Sequence, residues 1–322
     1  MQNYSLIEKI LHTLVLNNNV IKKSLFEIEK FVFYKNIDDI QNEEHIFITG
    51  LPRSGTTILL EYIYKNEQHA SFTYNDMPFI MSPNLFSIFN NKKLLPLKER
   101  WHKDGIKFNL QSPEAFDDIF FQTYSKSELQ EYLKIFISLI LKKNKKKKYL
   151  SKNNNNFKRI LIINSILPNA KFIIPFRSPL QHAQSLLNQH KNFCEIQNKD
   201  KFVLKYMNYL GHHEFGLGHK SWHLSKDFDH PFSLDYWLEQ WLLFYSKLIN
   251  EYSNNKSVFF ISYERFCESN ELQKKLLEML NIKYSNDFLF EMSKKKIEKN
   301  YDQNLLNKCF ILENKLKLIS KF

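Results

Sequence analysis

Residues Ile46-Phe47-Ile48-Thr49-Gly50-Leu51-Pro52-Arg53-Ser54-Gly55-Thr56-Thr57 constrain the fold more than any other stretch of the chain. The apolar run Ile46 to Ile48 reads as a short buried strand. It empties into a turn holding Gly50 and Gly55, two of only six glycines in 322 residues. Beyond the turn, Ile58, Leu59, Tyr62 and Ile63 keep the spacing of a helix face. Strand, glycine turn and helix N-terminus together make an anion cradle: unpaired N–H groups point at the ligand and the helix dipole favours negative charge. The plain alternative is a strand-to-helix turn with incidental glycines, and the scarcity of glycine elsewhere argues against it.

The spacing G-x-x-x-x-G is that of a P-loop, but Thr56 stands where a nucleoside triphosphatase carries lysine. The cation available inside the loop is Arg53, and Thr56 and Thr57 add hydroxyl donors. GLPRSGTT after a strand resembles the 5′-phosphosulfate loop of sulfotransferases that use 3′-phosphoadenosine 5′-phosphosulfate (PAPS). That resemblance implies donor binding by Gly50, Pro52, Arg53, Ser54, Gly55, Thr56 and Thr57.

A second signature lies further along. Lys171 to Phe176 is a strand candidate ending at Arg177, with an irregularity expected at Pro175 because proline lacks a ladder donor. A helix bearing Ala183, Leu186 and Leu187 on one side follows Ser178-Pro179. Ser185 follows Arg177 at the spacing where sulfotransferases place the arginine and serine that bind the 3′-phosphate of PAPS. A guanidinium grips phosphate with two parallel donors, and only a nucleotide with a 3′-phosphate needs this second anion site. The strand Ser257 to Ser262, leading into Tyr263-Glu264, is also similar to the family's strand beside the nucleotide. The likeness runs from Ile46 to Phe266 at motif level. No glycine-rich C-terminal loop of the kind that covers the nucleotide in cytosolic sulfotransferases is found.

The resemblance implies an α/β fold, a parallel sheet flanked by helices and related to P-loop kinases. It implies transfer of a sulfuryl group from PAPS to an acceptor hydroxyl, by analogy on a carbohydrate or small metabolite. Arg53 would stabilise the leaving phosphate oxygen, since a guanidinium stays charged near neutrality. Lys152, ending the expected strand Tyr149 to Lys152, would approach the sulfuryl group. A general base must take the acceptor proton. Asp76, just past an expected strand Ala70 to Tyr74, is the first candidate, with a turn role before Pro78 as its alternative. His102 is the second, in a polar loop with Asp104. Asp104 and Glu114 are further candidates, but Ser112-Pro113-Glu114 reads as a helix start in which Glu114 is favoured by the dipole, and that structural role accounts for it.

Composition supports a globular protein: 43% of residues are hydrophobic and 15% aromatic. The net charge of +12 suits nucleic acid, a membrane surface or a small polyanion alike. The lysine run Lys142 to Lys148 lacks interleaved aromatics for base stacking, so it reads as a solvated surface and nucleic acid is not expected. The histidine-rich loop Gly211 to His219, with His223 behind it, has no ordinary zinc spacing, and no metal is expected. Cys194, Cys267 and Cys309 lack CxxC spacing, which suggests a reducing compartment. With no apolar core in Met1 to Asn17 and no run of membrane-spanning length, a cytoplasmic location is expected. One sulfotransferase-type domain is expected over 1–322, with a helical extension at 1–42, a core at 43–280 and a helical tail at 281–322. Two amphipathic helices are expected within Ser5 to Phe33, with Leu6, Ile10, Leu14, Ile21, Leu25 and Ile28 facing the domain. A P-loop kinase or triphosphatase, or a non-catalytic nucleotide-binding protein, are the rival functions. The first would want the missing lysine and an aspartate for Mg²⁺ at a strand end.

Overall fold

The computed structural model describes residues 4–34, 39–89, 96–99, 107–222, 230–283, 288, 290, 296–298 and 300–321. The chain forms two compact bodies. One comprises Met1–Ile48, Thr57–Ala170 and Lys205–His212, the other Thr49–Thr56, Lys171–Leu204 and His213–Phe322.

In the first body, strand Lys148–Lys152 lies between Ile46–Ile48 and His69–Ala70 and runs parallel to both, with Ile48 opposite Lys152 and His69 opposite Lys148. The longest helix here, Lys126–Asn144, starts on a capping box in which Ser125 and Glu128 satisfy each other's backbone donors. It stops at Lys145, whose left-handed backbone (φ 53°) sends its N–H back to Leu141 and Lys142. Its apolar face builds the core: Phe136 stacks on Phe72 at 5.0 Å and on Phe120 at 4.2 Å.

The lysine run closing this helix is more than a solvated surface. Lys142 donates to the Phe33 carbonyl (2.7 Å), Lys143 pairs with Asp76, Lys146 with the Glu67 carbonyl, and Lys148 with Glu44 at 3.5 Å. The two expected N-terminal helices form at Leu6–Leu16 and Asn19–Phe33, capped by Ser5 and Asn18. Their faces differ from expectation. Leu6, Ile10 and Leu14 are exposed, while His12, Val15, Leu16, Phe26 and Glu29 are buried. The first helix is amphipathic, but its apolar side, with Leu6, Ile7, Ile10, Leu11 and Leu14, is the exposed one, so periodicity pointed to the wrong inner side.

In the second body, Lys171–Phe176 pairs in parallel with Val258–Ser262 without a break, Pro175 standing opposite Ile261. The expected irregularity is absent. Thr49 donates to the Ile173 carbonyl at 2.9 Å, so the same edge two residues on, where Pro175 lacks its N–H, faces Gly50. No ladder donor is needed there, and Tyr245 satisfies the Pro175 carbonyl at 2.9 Å. Helices Pro179–Lys199, Leu234–Tyr252 and Gln303–Ile319 carry the remaining core, with Trp237, Trp241 and Tyr245 fully buried. Cys194, Cys267 and Cys309 are free thiols. No helix among the described residues is long and apolar enough to cross a membrane.

Four buried histidines make an acid-lability prediction. Burial is the first cause holding His45 and His190 at about 4 and His69 and His182 at about 3. Each is therefore neutral in the fold and protonates near 6.5 once unfolded. Between those two values the unfolded chain binds more protons, so stability falls with falling pH, by up to about 1.4 kcal/mol per pH unit per histidine. Denaturant titrations should give a flat stability above pH 7 and a steep loss from pH 6.5 towards pH 4. Equal stability at pH 7 and pH 5 would contradict the neutral, buried state.

Candidate functional site

The turn 49–56 forms as the glycine spacing requires. Gly50 (φ 152°), Arg53 (φ 69°) and Gly55 (φ 104°) all lie at positive φ. A Cβ at Gly55 would stand 2.3 Å from the Tyr263 ring, so no other residue fits. Ser54 closes the turn by donating to the Leu51 carbonyl (3.3 Å), and helix Thr56–Tyr64 starts at the turn's end. Arg53, Gly55 and Thr57 are partly exposed, whereas Pro52, Ser54 and Thr56 are buried and shape the turn.

Arg177 leaves the strand end and reaches this turn. Its Nη1 donates to the Arg53 carbonyl at 3.2 Å, its Nε lies 3.6 Å from Glu264, and its guanidinium sits 5.6 Å from the centre of the Tyr263 ring. Glu264 in turn accepts the Ser178 N–H at 3.1 Å. Ser185, on helix Pro179–Lys199 with its proline in the first turn, accepts from Arg53 Nε at 3.4 Å. The residues expected to hold two ends of one nucleotide thus meet at Arg53. Sequence reading passed over His182, buried one helical turn before Ser185 and bonded to the Pro52 carbonyl at 2.8 Å. The signal available for it was that i, i+3 spacing.

The candidate bases lie in the first body. The strand expected over Ala70 to Tyr74 is only His69–Ala70, and Tyr74–Asp76 forms a single 3₁₀ turn. Asp76 is 1% exposed. One of its oxygens accepts the Thr73 N–H (2.8 Å) and hydroxyl (3.0 Å), and the other pairs with Lys143. That bonding is a turn cap and anchor. Glu114 is not in a helix start, which corrects the expectation: the helix begins at Asp118, and Pro113 instead bridges Thr73. The Ser112-Pro113 pair imitates a cap, but the Glu114 N–H is taken by the Phe72 carbonyl at 3.1 Å.

The Glu114 side chain accepts from the Tyr74 hydroxyl (3.1 Å), Lys152 Nζ (3.3 Å) and the Ala115 N–H (2.9 Å). Lys152 stands opposite Ile48 at the end of its strand, and Asn153 donates to the Ile48 carbonyl at 3.0 Å. Beside it, Asp117 accepts from Tyr149 (3.2 Å), Ser151 (2.5 Å) and Asn153 (3.0 Å), fixing that strand end. Burial pushes the Asp117 carboxyl upward. His102, Asp104 and His223 lie outside the described residues. His219, from the histidine-rich loop, bonds the Tyr236 hydroxyl at 2.6 Å, and no group of three or more metal-ligating side chains occurs among the described residues.

Residues 45–206, half of the chain, match the model of the sulfotransferase family. The chain belongs to the sulfotransferase family. No curated protein matches it. Among solved structures it is similar to sulfotransferase STF1 from Mycobacterium tuberculosis, with a TM-score of 0.51 at 12% identity over 88% of this chain and 79% of that one. Sulfotransferase STF9 from Mycobacterium avium gives 0.47 at 11% identity, covering 98% and 78%. The sulfotransferase domain from the curacin biosynthetic pathway gives 0.42 at 13%, covering 85% and 97%. The STF1 likeness, with the parallel strands and flanking helices, shows the P-loop-kinase-like sulfotransferase fold. Family membership supports sulfotransfer as the activity.

Proposed function

We propose that this sulfotransferase-family protein takes its sulfuryl group from PAPS and passes it to an acceptor hydroxyl. The carrying observation is that Arg177 and Ser185 both bond to Arg53 of the glycine turn, so two anion-binding elements converge on one arginine. The chemistry of the donor set fits such a nucleotide: two guanidiniums, two threonine hydroxyls, a serine and a helix N-terminus. In this reading the turn and Thr56 and Thr57 hold the 5′-phosphosulfate, while Arg177 and Ser185 hold the 3′-phosphate. Arg53 stabilises charge on the departing phosphate oxygen. As in phosphoryl transfer, catalysis is positioning plus electrostatics.

The acceptor proton is assigned to Glu114, which is paired with Lys152, in preference to Asp76, which is the more deeply buried of the two and caps its own 3₁₀ turn. Lys152, released from Glu114, is assigned to the sulfuryl oxygens. Carbohydrates and small hydroxylated metabolites are the acceptor class, by analogy with the family.

The test is transfer of radiolabelled sulfate from PAPS into an extract of candidate acceptors, alongside calorimetry with 3′,5′-adenosine bisphosphate. Label incorporation with bisphosphate binding supports the reading. Bisphosphate binding with no labelled product in any extract favours a non-catalytic nucleotide-binding protein. Magnesium-dependent ATP turnover without bisphosphate binding would replace the reading with a kinase-type one.

A further inference from the structure

We infer that His182 is a positioning residue for the glycine turn, setting its peptide planes for the 5′ end of the donor. The inference rests on the donor reading above and adds a residue to it. His182 is fully buried on helix Pro179–Lys199, and its Nε2 lies 2.8 Å from the Pro52 carbonyl. A carbonyl oxygen only accepts, so Nε2 carries the proton and the ring is the Nε2–H tautomer. Nδ1 has no partner. Burial first, then the Arg177 and Arg53 guanidiniums, hold the ring's pKa down at about 3, which keeps the ring neutral through the neutral range, and the Pro52 carbonyl then selects the Nε2–H form.

The bond matters because of where it sits in the turn. The Pro52–Arg53 peptide is trans and planar, so anchoring its carbonyl on His182 aims the Arg53 N–H away from that helix. The next carbonyl, that of Arg53, is anchored on Arg177 Nη1 at 3.2 Å. Two consecutive carbonyls are thus drawn to the side of the second motif. Arg53 between them holds a left-handed backbone (φ 69°), a conformation that a β-substituted residue keeps only when its surroundings impose it. His182 and Ser185 lie one turn apart, so one helix face grips both the backbone before Arg53 and the Arg53 side chain. An anion site made of backbone donors works only with its carbonyls turned outward.

The experiment compares His182→Gln, His182→Asn and His182→Leu by calorimetry with two probes, 3′,5′-adenosine bisphosphate and adenosine 3′-phosphate. A glutamine amide nitrogen reaches the place of Nε2 and can donate to Pro52. Asparagine is too short, and leucine cannot donate. Leaving the buried carbonyl unpaired is expected to weaken bisphosphate binding about tenfold in the Asn and Leu variants. Gln should stay within about threefold of wild type. Affinity for adenosine 3′-phosphate, which lacks the 5′ group, should be unchanged in all three. Equal bisphosphate affinity for Gln and Asn, or an equal loss for both probes, would overturn the inference. A wild-type protein that binds neither probe would instead overturn the donor reading.

Discussion

Replacing Glu114 by glutamine is expected to slow label transfer from PAPS about 100- to 10,000-fold, the range of a lost general base. Glutamine keeps the shape: its oxygen can still accept from Lys152 and the Ala115 N–H, and its amide nitrogen can donate to the Tyr74 hydroxyl oxygen, so the fold and bisphosphate affinity should survive. What disappears is the lone pair strong enough to take a hydroxyl proton. Asp76→Asn should behave in the opposite way. It removes the partner of Lys143 and weakens the cap on Thr73, lowering stability by about 1–3 kcal/mol, while leaving turnover of the folded protein near wild type. Single-turnover rates and thermal melts on both variants separate the two roles. A full-rate Glu114→Gln with an inactive, stable Asp76→Asn would move the base to Asp76.

The contrast between these carboxylates shows where the chain was readable. The glycine turn and the Arg177–Ser185 pair are encoded locally, as a strand, a turn and a helix within a dozen residues each, and both formed at strand ends as their spacing implies. Glu114 depends on Tyr74 and Lys152, which lie 40 and 38 residues away in sequence. Nothing near Glu114 announces those partners, and Ser112-Pro113 actively suggests a helix start that tertiary pairing with Thr73 overrides. Asp76 lies in a 3₁₀ turn well beyond the short strand His69–Ala70, not at the end of a strand, and its pairing with Lys143 is a long-range fact. For the same reason the lysine run read as solvent-facing, although its partners come from four separate segments.

Pro175 is the complementary case. Local rules treat a mid-strand proline as a disruption, yet here the edge that lacks the N–H faces Gly50, where an added Cβ would stand 3.3 Å from the Pro175 carbonyl oxygen. The proline and the glycine are therefore one feature: a close approach of backbone that starts the anion cradle. Periodicity failed on helix Leu6–Leu16 in a different way: the pattern marks a clear apolar side, yet that side is exposed and the buried one carries His12, Val15 and Leu16.

Arg53→Ala is expected to cut sulfuryl transfer about 100- to 1,000-fold, as losing one preorganised charge-stabilising donor does elsewhere. The substitution is clean in this fold because the Arg53 backbone is held independently of its side chain, by Arg177 on its own carbonyl and by His182 on the preceding one. Alanine suffers the same left-handed strain as arginine, so the turn should persist and bisphosphate binding should fall by only about tenfold, the share of one charged hydrogen bond. Arg53→Lys restores a charge without the planar fork that reaches Ser185, and should recover part of the rate but not the affinity. The rate must fall more than the affinity, because a group aimed at charge developing on the leaving oxygen acts on the transition state above the ground state. Equal losses in rate and affinity would make Arg53 a binding residue only, and an unchanged rate would remove it from the chemistry altogether.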